Sequence, residues 1–442
     1  MKIQRFLRNT FVAVLLLLLV PLLLVQGLRA WAKRDPDALA ALAVMDQVPG
    51  PHEGRNGYTD LLYAELDIPE DEREAAFAAE VAAYQRWFDS QGQRMLADAW
   101  EGQFESPAKA RYPIRRPPET PETVCGLSDP TCLQQVAANP EAYRASLQDR
   151  ADVLALADAS LAADRFESPF PPGFDAPLPA YNLWRLSLTA AALQALDGDI
   201  AGATERSCAM LASARRFAAQ RRGLIDTMVP MALTEGAAGL LLELRRAHPE
   251  QPLPANCGAA LAPVQAEDYL MCDALRSEFR MQSTMARQMQ AALSEDGSAS
   301  ALFSRWYLVD GELTTMWSAE MFADACSDDY RQAVLAGTVP PMNRRLVNHA
   351  QPRCYAAYAS CVLVGIATPV YDGYQVRLLD HAARLRLLLA LIAQAEQGLD
   401  DAGVERLAAS PGYTLKRADG RWRLGMRYAR GDQAEVFEVP AL

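Results

Sequence analysis

The sequence predicts a mainly α-helical protein. The expected form is an irregular, solenoid-like array of helical hairpins with one N-terminal transmembrane helix and a small C-terminal antiparallel β meander. Three observations lead there. Alanine, leucine, arginine and glutamate, all good helix formers, are abundant. An uncharged apolar run fills residues 11–28. From residue 412 helical spacing gives way to short alternating segments around glycine turns. Half of the 442 residues are apolar and 22% are charged, which fits one large core or two moderate ones.

Three segments follow from this reading. Residues 1–34 are a basic flank and an anchor or signal segment. Residues 35–411 are the helical domain, with proline-rich loops at 106–130 and 168–179. Residues 412–442 are the meander, packed on the helical domain.

The first segment reads FVAVLLLLLVPLLLVQGL over residues 11–28. At about 1.5 Å per residue it spans roughly 27 Å, close to the ~30 Å hydrocarbon core of a bilayer. A helix there satisfies its own backbone groups, and Pro21 frees one carbonyl. A retained anchor is the expectation. A cleaved signal peptide is the alternative, with a small-residue site at Ala30-Trp31-Ala32. Arg and Lys flank both ends equally, so the charge rule for orientation is nearly silent. We expect a single-pass inner-membrane protein with its bulk on the periplasmic side.

Residues 35–51 read as a short helix or stalk. Ile68-Pro69-Glu70-Asp71-Glu72 has the proline and acids of a helix start. Phe77, Val81, Tyr84 and Phe88 continue that helix at core spacing toward residue 104. Asn139-Pro140 opens one helix to about residue 164. Residues 181–196 and 200–220 form a helical hairpin about the Asp197-Gly198-Asp199 turn, tetratricopeptide-like in length but not in pattern. A second hairpin pairs 224–247 with 267–293. The former is apolar nearly all round, as a buried central helix should be. Further helices are expected at 306–330 and 375–397.

Eight cysteines behind an export segment point to disulfides. Cys125 and Cys132 enclose a turn-rich loop and form the clearest pair. Cys354 and Cys361, which share the seven-residue offset, are the second candidate pair, although a helix between them would hold them about 10.5 Å apart, beyond bridging range. Cys208, Cys257, Cys272 and Cys326 allow three pairings, and sequence does not choose. Neither CxxC nor HExxH spacing occurs, so no metal or other cofactor is expected.

The net charge is −12. The first 34 residues take six of the 43 basic residues and none of the 55 acidic ones, leaving 37 against 55, a net of −18. That surface argues against nucleic acid as a partner. Other envelope proteins, and the membrane through the N-terminal helix, are the expected partners.

Motifs for chemistry are sparse. Ser106-Pro107-Ala108-Lys109 fits SxxK, but lies in a proline-rich stretch without the companion motifs. Asp197-Gly198-Asp199 lacks the glutamate that closes a calcium loop. No catalytic residue stands out. Glu235 and Glu278, in apolar helical surroundings, are the candidate binding carboxylates. Burial would raise their pKa toward general-acid use, unless an arginine such as Arg276 or Arg280 pairs with Glu278. Asp380-His381 offers no triad geometry, and His381 reads as a surface histidine. Trp184, Trp306, Tyr307 and Trp317 read as core anchors.

The run NHAQPRCYAAYASCVLVGIATPVYDGYQVRLLDHAARLRLLLALIAQ at 348–394, the Asn56-Gly57-Tyr58 opening and the spaced cysteines carry a likeness. Over about half its length the chain resembles an uncharacterised group of single-span or exported helical envelope proteins of Gram-negative bacteria. The resemblance implies an envelope location and a helical fold, and no activity. The function expected is a non-enzymatic scaffold or protein-interaction module. The alternative is an envelope enzyme acting on peptide or glycan, which needs Glu235 and Glu278 in one cleft.

Overall fold

A computed structural model describes residues 2–48, 50, 52–94, 104–115, 123–173, 175–220, 223–342, 351–367, 371–428 and 435–441. Residues 95–103, 116–122 and 429–434, within the expected second helix, first proline-rich loop and meander, lie outside that description, as does His349.

Helix α1 (Lys2–Ala32) is followed at once by α2 (Pro36–Met45), whose first turn is capped by the Asp35 carboxylate. Then come α3 (Tyr58–Leu62), α4 (Arg73–Arg94) and the short α5 (Pro107–Arg111). The single helix expected from residue 139 is two, α7 (Pro140–Gln148) and α8 (Ala151–Leu161), after α6 (Cys132–Ala138). Arg150 leaves helical geometry (φ −126°, ψ 28°), and the break lets Val153, Ala157 and Leu161 bury together.

The expected hairpin is α9 (Trp184–Leu196) and α10 (Ile200–Gln220), and α11 (Leu224–Ala247) packs along α10. Gly198 supplies the positive φ of the hairpin turn, and Asp199 caps α10 through the Gly202 N–H. Among the described residues α11 is the helix long and apolar enough to cross a membrane, yet 72% of that window is buried inside the body. It is a core helix. Gly236 and Gly239 explain how closely it is covered. A Cβ at Gly239 would lie 2.4 Å from the Pro130 Cα, and one at Gly236 would lie 2.2 Å from the Leu127 oxygen.

After α12 (Cys257–Ala260) and α13 (Cys272–Glu295), the expected helix at 306–330 is interrupted. The chain forms α14 (Ala299–Phe303), a π-helical turn (Ser304–Leu308), α15 (Gly311–Ala323) and α16 (Asp328–Leu335). The break falls where Asp310 adopts an extended conformation and its carboxylate caps the Leu313 N–H. Helices α17 (Tyr358–Ala367), α18 (Tyr371–Gln397) and α19 (Asp401–Ala408) complete the array. Strands β1 (Leu415–Ala418), β2 (Arg421–Gly425) and β3 (Val436–Pro440) form the expected antiparallel meander, with Leu424 opposite Leu415 and Phe437.

The buried side chains fall into two principal cores. The first surrounds Trp184, Phe217 and Leu240, between α8, α9, α10 and α11. The second surrounds Phe279, Trp317 and Phe322, between α13, α15, α17 and the C-terminal end of α1, the stem. Helices α11 and α18 pass through both. All eight cysteines are paired: Cys125–Cys132, Cys208–Cys257, Cys272–Cys326 and Cys354–Cys361. The last pair is possible because the chain is not one helix there. Cys354 sits in a 3-10 turn (Pro352–Ala356), Ala357 leaves helical geometry (φ −157°, ψ 76°), and α17 starts afterwards, so the Cα atoms stand 5.4 Å apart.

Candidate functional site

A mainly apolar cavity of about 660 Å³ opens on the second core. Helix α13 supplies its floor. Met281, Met285 and Met289 recur at every fourth residue, so they form one stripe along that helix. Leu363 and Val364 of α17 and Tyr371 and Tyr374 of α18 form one wall, and Ile225 of α11 joins the lining. The second proline-rich loop arches over from the first core through Gly173 and Leu178. Unbranched thioether side chains adapt to irregular apolar shapes, so this floor can mould to a ligand.

Glu278 is the acidic group of the lining. Its carboxylate accepts the Leu224 N–H at the start of α11 and, at 3.3 Å, the Tyr371 hydroxyl. Burial pushes its pKa above the usual glutamate value, and those two donors only partly oppose the shift. Asp226, one turn into α11, adds negative field; its own pKa is raised by burial, and Tyr181 donates a hydrogen bond to it. Arg276, a partner considered for Glu278, goes instead to Asp273 at 2.8 Å and the Val44 carbonyl at 3.2 Å.

Glu235 is elsewhere. It is 2% exposed and lies at the seam where α11 and α18 pass from one core to the other. His381 Nδ1 lies against one carboxylate oxygen, and Arg384 Nη1 stands 3.3 Å from the other. It is absent from the cavity lining, so the two candidate glutamates do not share a cleft.

His381 is therefore not on the surface. The reason is that α18 is covered on two sides. His381 faces α11, while its neighbour Asp380 accepts the Tyr413 hydroxyl at 2.7 Å and the Arg427 and Tyr428 N–H groups at 3.1 and 2.9 Å. Asp380 thus ties the meander to α18, and His381 ties α18 to α11.

Of the four aromatic anchors, Trp184 and Trp317 are buried, but Trp306 is 41% exposed beside the stem. Ser106 of the SxxK motif caps α5 through the Lys109 N–H.

The stem is built into the body. Arg29 donates to the carbonyls of Arg305 at 2.8 Å, Val309 at 3.0 Å and Ala356 at 2.8 Å. Asp310 lies 3.8 Å from it, and Lys33 joins Asp310 at 3.1 Å and Glu312 at 2.6 Å. A buried guanidinium so satisfied holds the two chain segments flanking α15 and α17 to the end of α1.

Sequence reasoning named Glu278 and passed over the cavity that it lines. The signal was the four-residue recurrence of methionine at 281–289, which a count of charged motifs passes over. Comparison of the chain with family models, curated proteins and solved structures returned no match.

Proposed function

We propose that this is a membrane-tethered envelope protein that binds, rather than transforms, an elongated apolar ligand carrying one amine or other hydrogen-bond donor. The carrying observation is the methionine-floored cavity with Glu278 in its wall. Its volume falls within the range of small-molecule sites, and apolar walls with few polar groups are their usual make-up. A ligand cation beside Glu278 would restore the charge that burial disfavours, whereas a ligand carboxylate would add repulsion. The scaffold expected from sequence thus takes a more specific form. Hydrolysis by paired carboxylates finds less support, since Glu235 is engaged by His381 and Arg384 away from the lining.

Two observations support the address. Four disulfides suit an oxidising compartment such as the periplasm. Cleavage after Ala32 would remove Arg29 and leave the carbonyls it satisfies without their donor, which favours retention of the stem.

The test uses full-length protein in lipid nanodiscs, melted with a long-chain primary amine or the carboxylate of equal length. The amine should raise the melting temperature more than the acid. Glu278→Gln should erase the preference, and Met285→Trp, which fills the cavity, should erase both shifts. No shift in the wild type, or equal shifts in Met285→Trp, would reject the reading.

A further inference from the structure

We propose that the exposed face formed by Phe303, Trp306, Tyr355, Tyr358, Leu363 and Ile366 is seated in the periplasmic interface of the bilayer that the stem crosses. The mouth of the cavity then lies at the lipid surface. This rests on the tethered reading above and adds an orientation and a ligand source to it.

The first argument is length. The body flanks α1 well before the apolar run ends. Gln26 donates to the Trp306 carbonyl at 3.3 Å, and Leu22 and Trp306 line one crevice. Residues 11–21, above that crevice, rise only about 16 Å, roughly half of a ~30 Å hydrocarbon core. Crossing the bilayer therefore requires residues 22–28 as well. Leu22 then sits about 9 Å inside the Leu28 end of the span. The side of the body at that level is carried to interfacial depth with it.

The second argument is composition. Trp306 and Phe303 are 41% and 54% exposed, and Tyr355 and Tyr358, whose rings stack at 6.5 Å, are 54% and 46% exposed. Tryptophan and tyrosine are the residues that settle at membrane–water interfaces. On α17, Leu363 and Ile366 project from the body at 51% and 67% exposure. An aqueous surface would hydrate this patch at a cost, whereas the interface accepts it.

The third argument is continuity. Arg29 binds the carbonyls of Arg305 and Ala356, the immediate neighbours of Trp306 and Tyr355. One buried guanidinium therefore fixes both halves of the aromatic face to the stem. Leu363 belongs to the exposed face and to the cavity wall at once. An alkyl chain leaving the bilayer can reach Met285 and Met289 along apolar surface.

The experiment uses the full chain in phosphatidylcholine nanodiscs. Single cysteines at Val20, Phe303, Ile366 and Glu405 carry a nitroxide, and its collisions with oxygen and with a water-soluble nickel chelate are compared. Phe303→Cys and Ile366→Cys labels should show a higher oxygen-to-chelate ratio than the Glu405→Cys label. If Val20→Cys is lipid-exposed while 303 and 366 match 405, this orientation is overturned and the tether stands. If Val20→Cys is itself water-exposed, the tether and the orientation fall together. A second measurement avoids added thiols: Trp306→Phe should lose part of the tryptophan quenching caused by lipids brominated near the head group. Unchanged quenching counts against the proposal.

Discussion

The two cores solve the same packing problem differently. In the first, helices close on one another completely. Ala190, Ala191 and Ala192 of α9 are buried, Gly236 and Gly239 of α11 admit the Cys125–Cys132 loop, and Trp184 lies stacked on Phe217 with its indole N–H bonded to Ser160. In the second, long flexible side chains replace small ones. Methionines floor an open cavity, a charged stem is inserted, and aromatic side chains remain outside. Small residues allow backbones to approach and leave no room. Methionine and partly exposed tyrosine leave room that a ligand or lipid can fill. On the function proposed above, the first core would serve stability and the second binding.

The largest effect expected from that contrast concerns the disulfides. Replacing Cys208 and Cys257 with serine opens a loop with a separation of 49 residues in the first core. The loss should be about 4 kcal/mol, against about 2.5 kcal/mol for the short Cys354–Cys361 loop of the second. Urea unfolding of the full-length protein measures both. The reverse order would mean that the packing around each disulfide, rather than the length of loop it closes, sets the loss.

Next is the stem. Arg29→Met leaves Asp310 and three carbonyls, two of them in buried contacts, short of a partner, at a cost of about 3 kcal/mol. Hydrogen exchange should quicken at residues 305–313 and 354–361 and stay unchanged in α10. Uniform quickening would show that the cores are one cooperative unit, and the contrast would dissolve.

The smallest effect is the pH dependence that Glu243 contributes in the first core. Burial pushes the Glu243 pKa up to about 7, although the carboxylate accepts the Leu133 and Gln134 N–H groups at 2.9 and 3.3 Å. The unfolded chain releases that proton near pH 4.5. Between about pH 4.5 and 7 the folded state holds more protons than the unfolded one. This group's contribution to stability therefore falls as pH rises through that window and levels off above it. Glu243→Gln should flatten that part of the profile in unfolding midpoints taken from pH 4.5 to 8. An unaltered profile would remove Glu243 as its source.

Much of the first core was legible in the sequence. The α9–α10 hairpin, the buried character of α11 and the Cys125–Cys132 loop follow from local spacing and turn residues, and the meander from its alternation. The second core was less so. Its 306–330 segment has helical composition throughout, and only the Asp310 cap and the arrival of Arg29 explain the break. Glu278 could be named as lying in apolar helical surroundings, but its donors, Leu224 and Tyr371, come from helices far along the chain. His381 was misplaced because nothing near residue 381 tells that α11 covers one side of α18 and the meander the other.

By itself the sequence determined the helical class, the apolar N-terminal run, the C-terminal strands and one disulfide. Each depends on residues within a few turns of one another, where propensity and periodicity act. Tertiary structure alone decided the pairing of Cys208 with Cys257 and Cys272 with Cys326, the separation of Glu235 from Glu278, and the seat of Arg29. Those depend on which surfaces meet, and that is settled by burial summed over the whole chain rather than by any local preference.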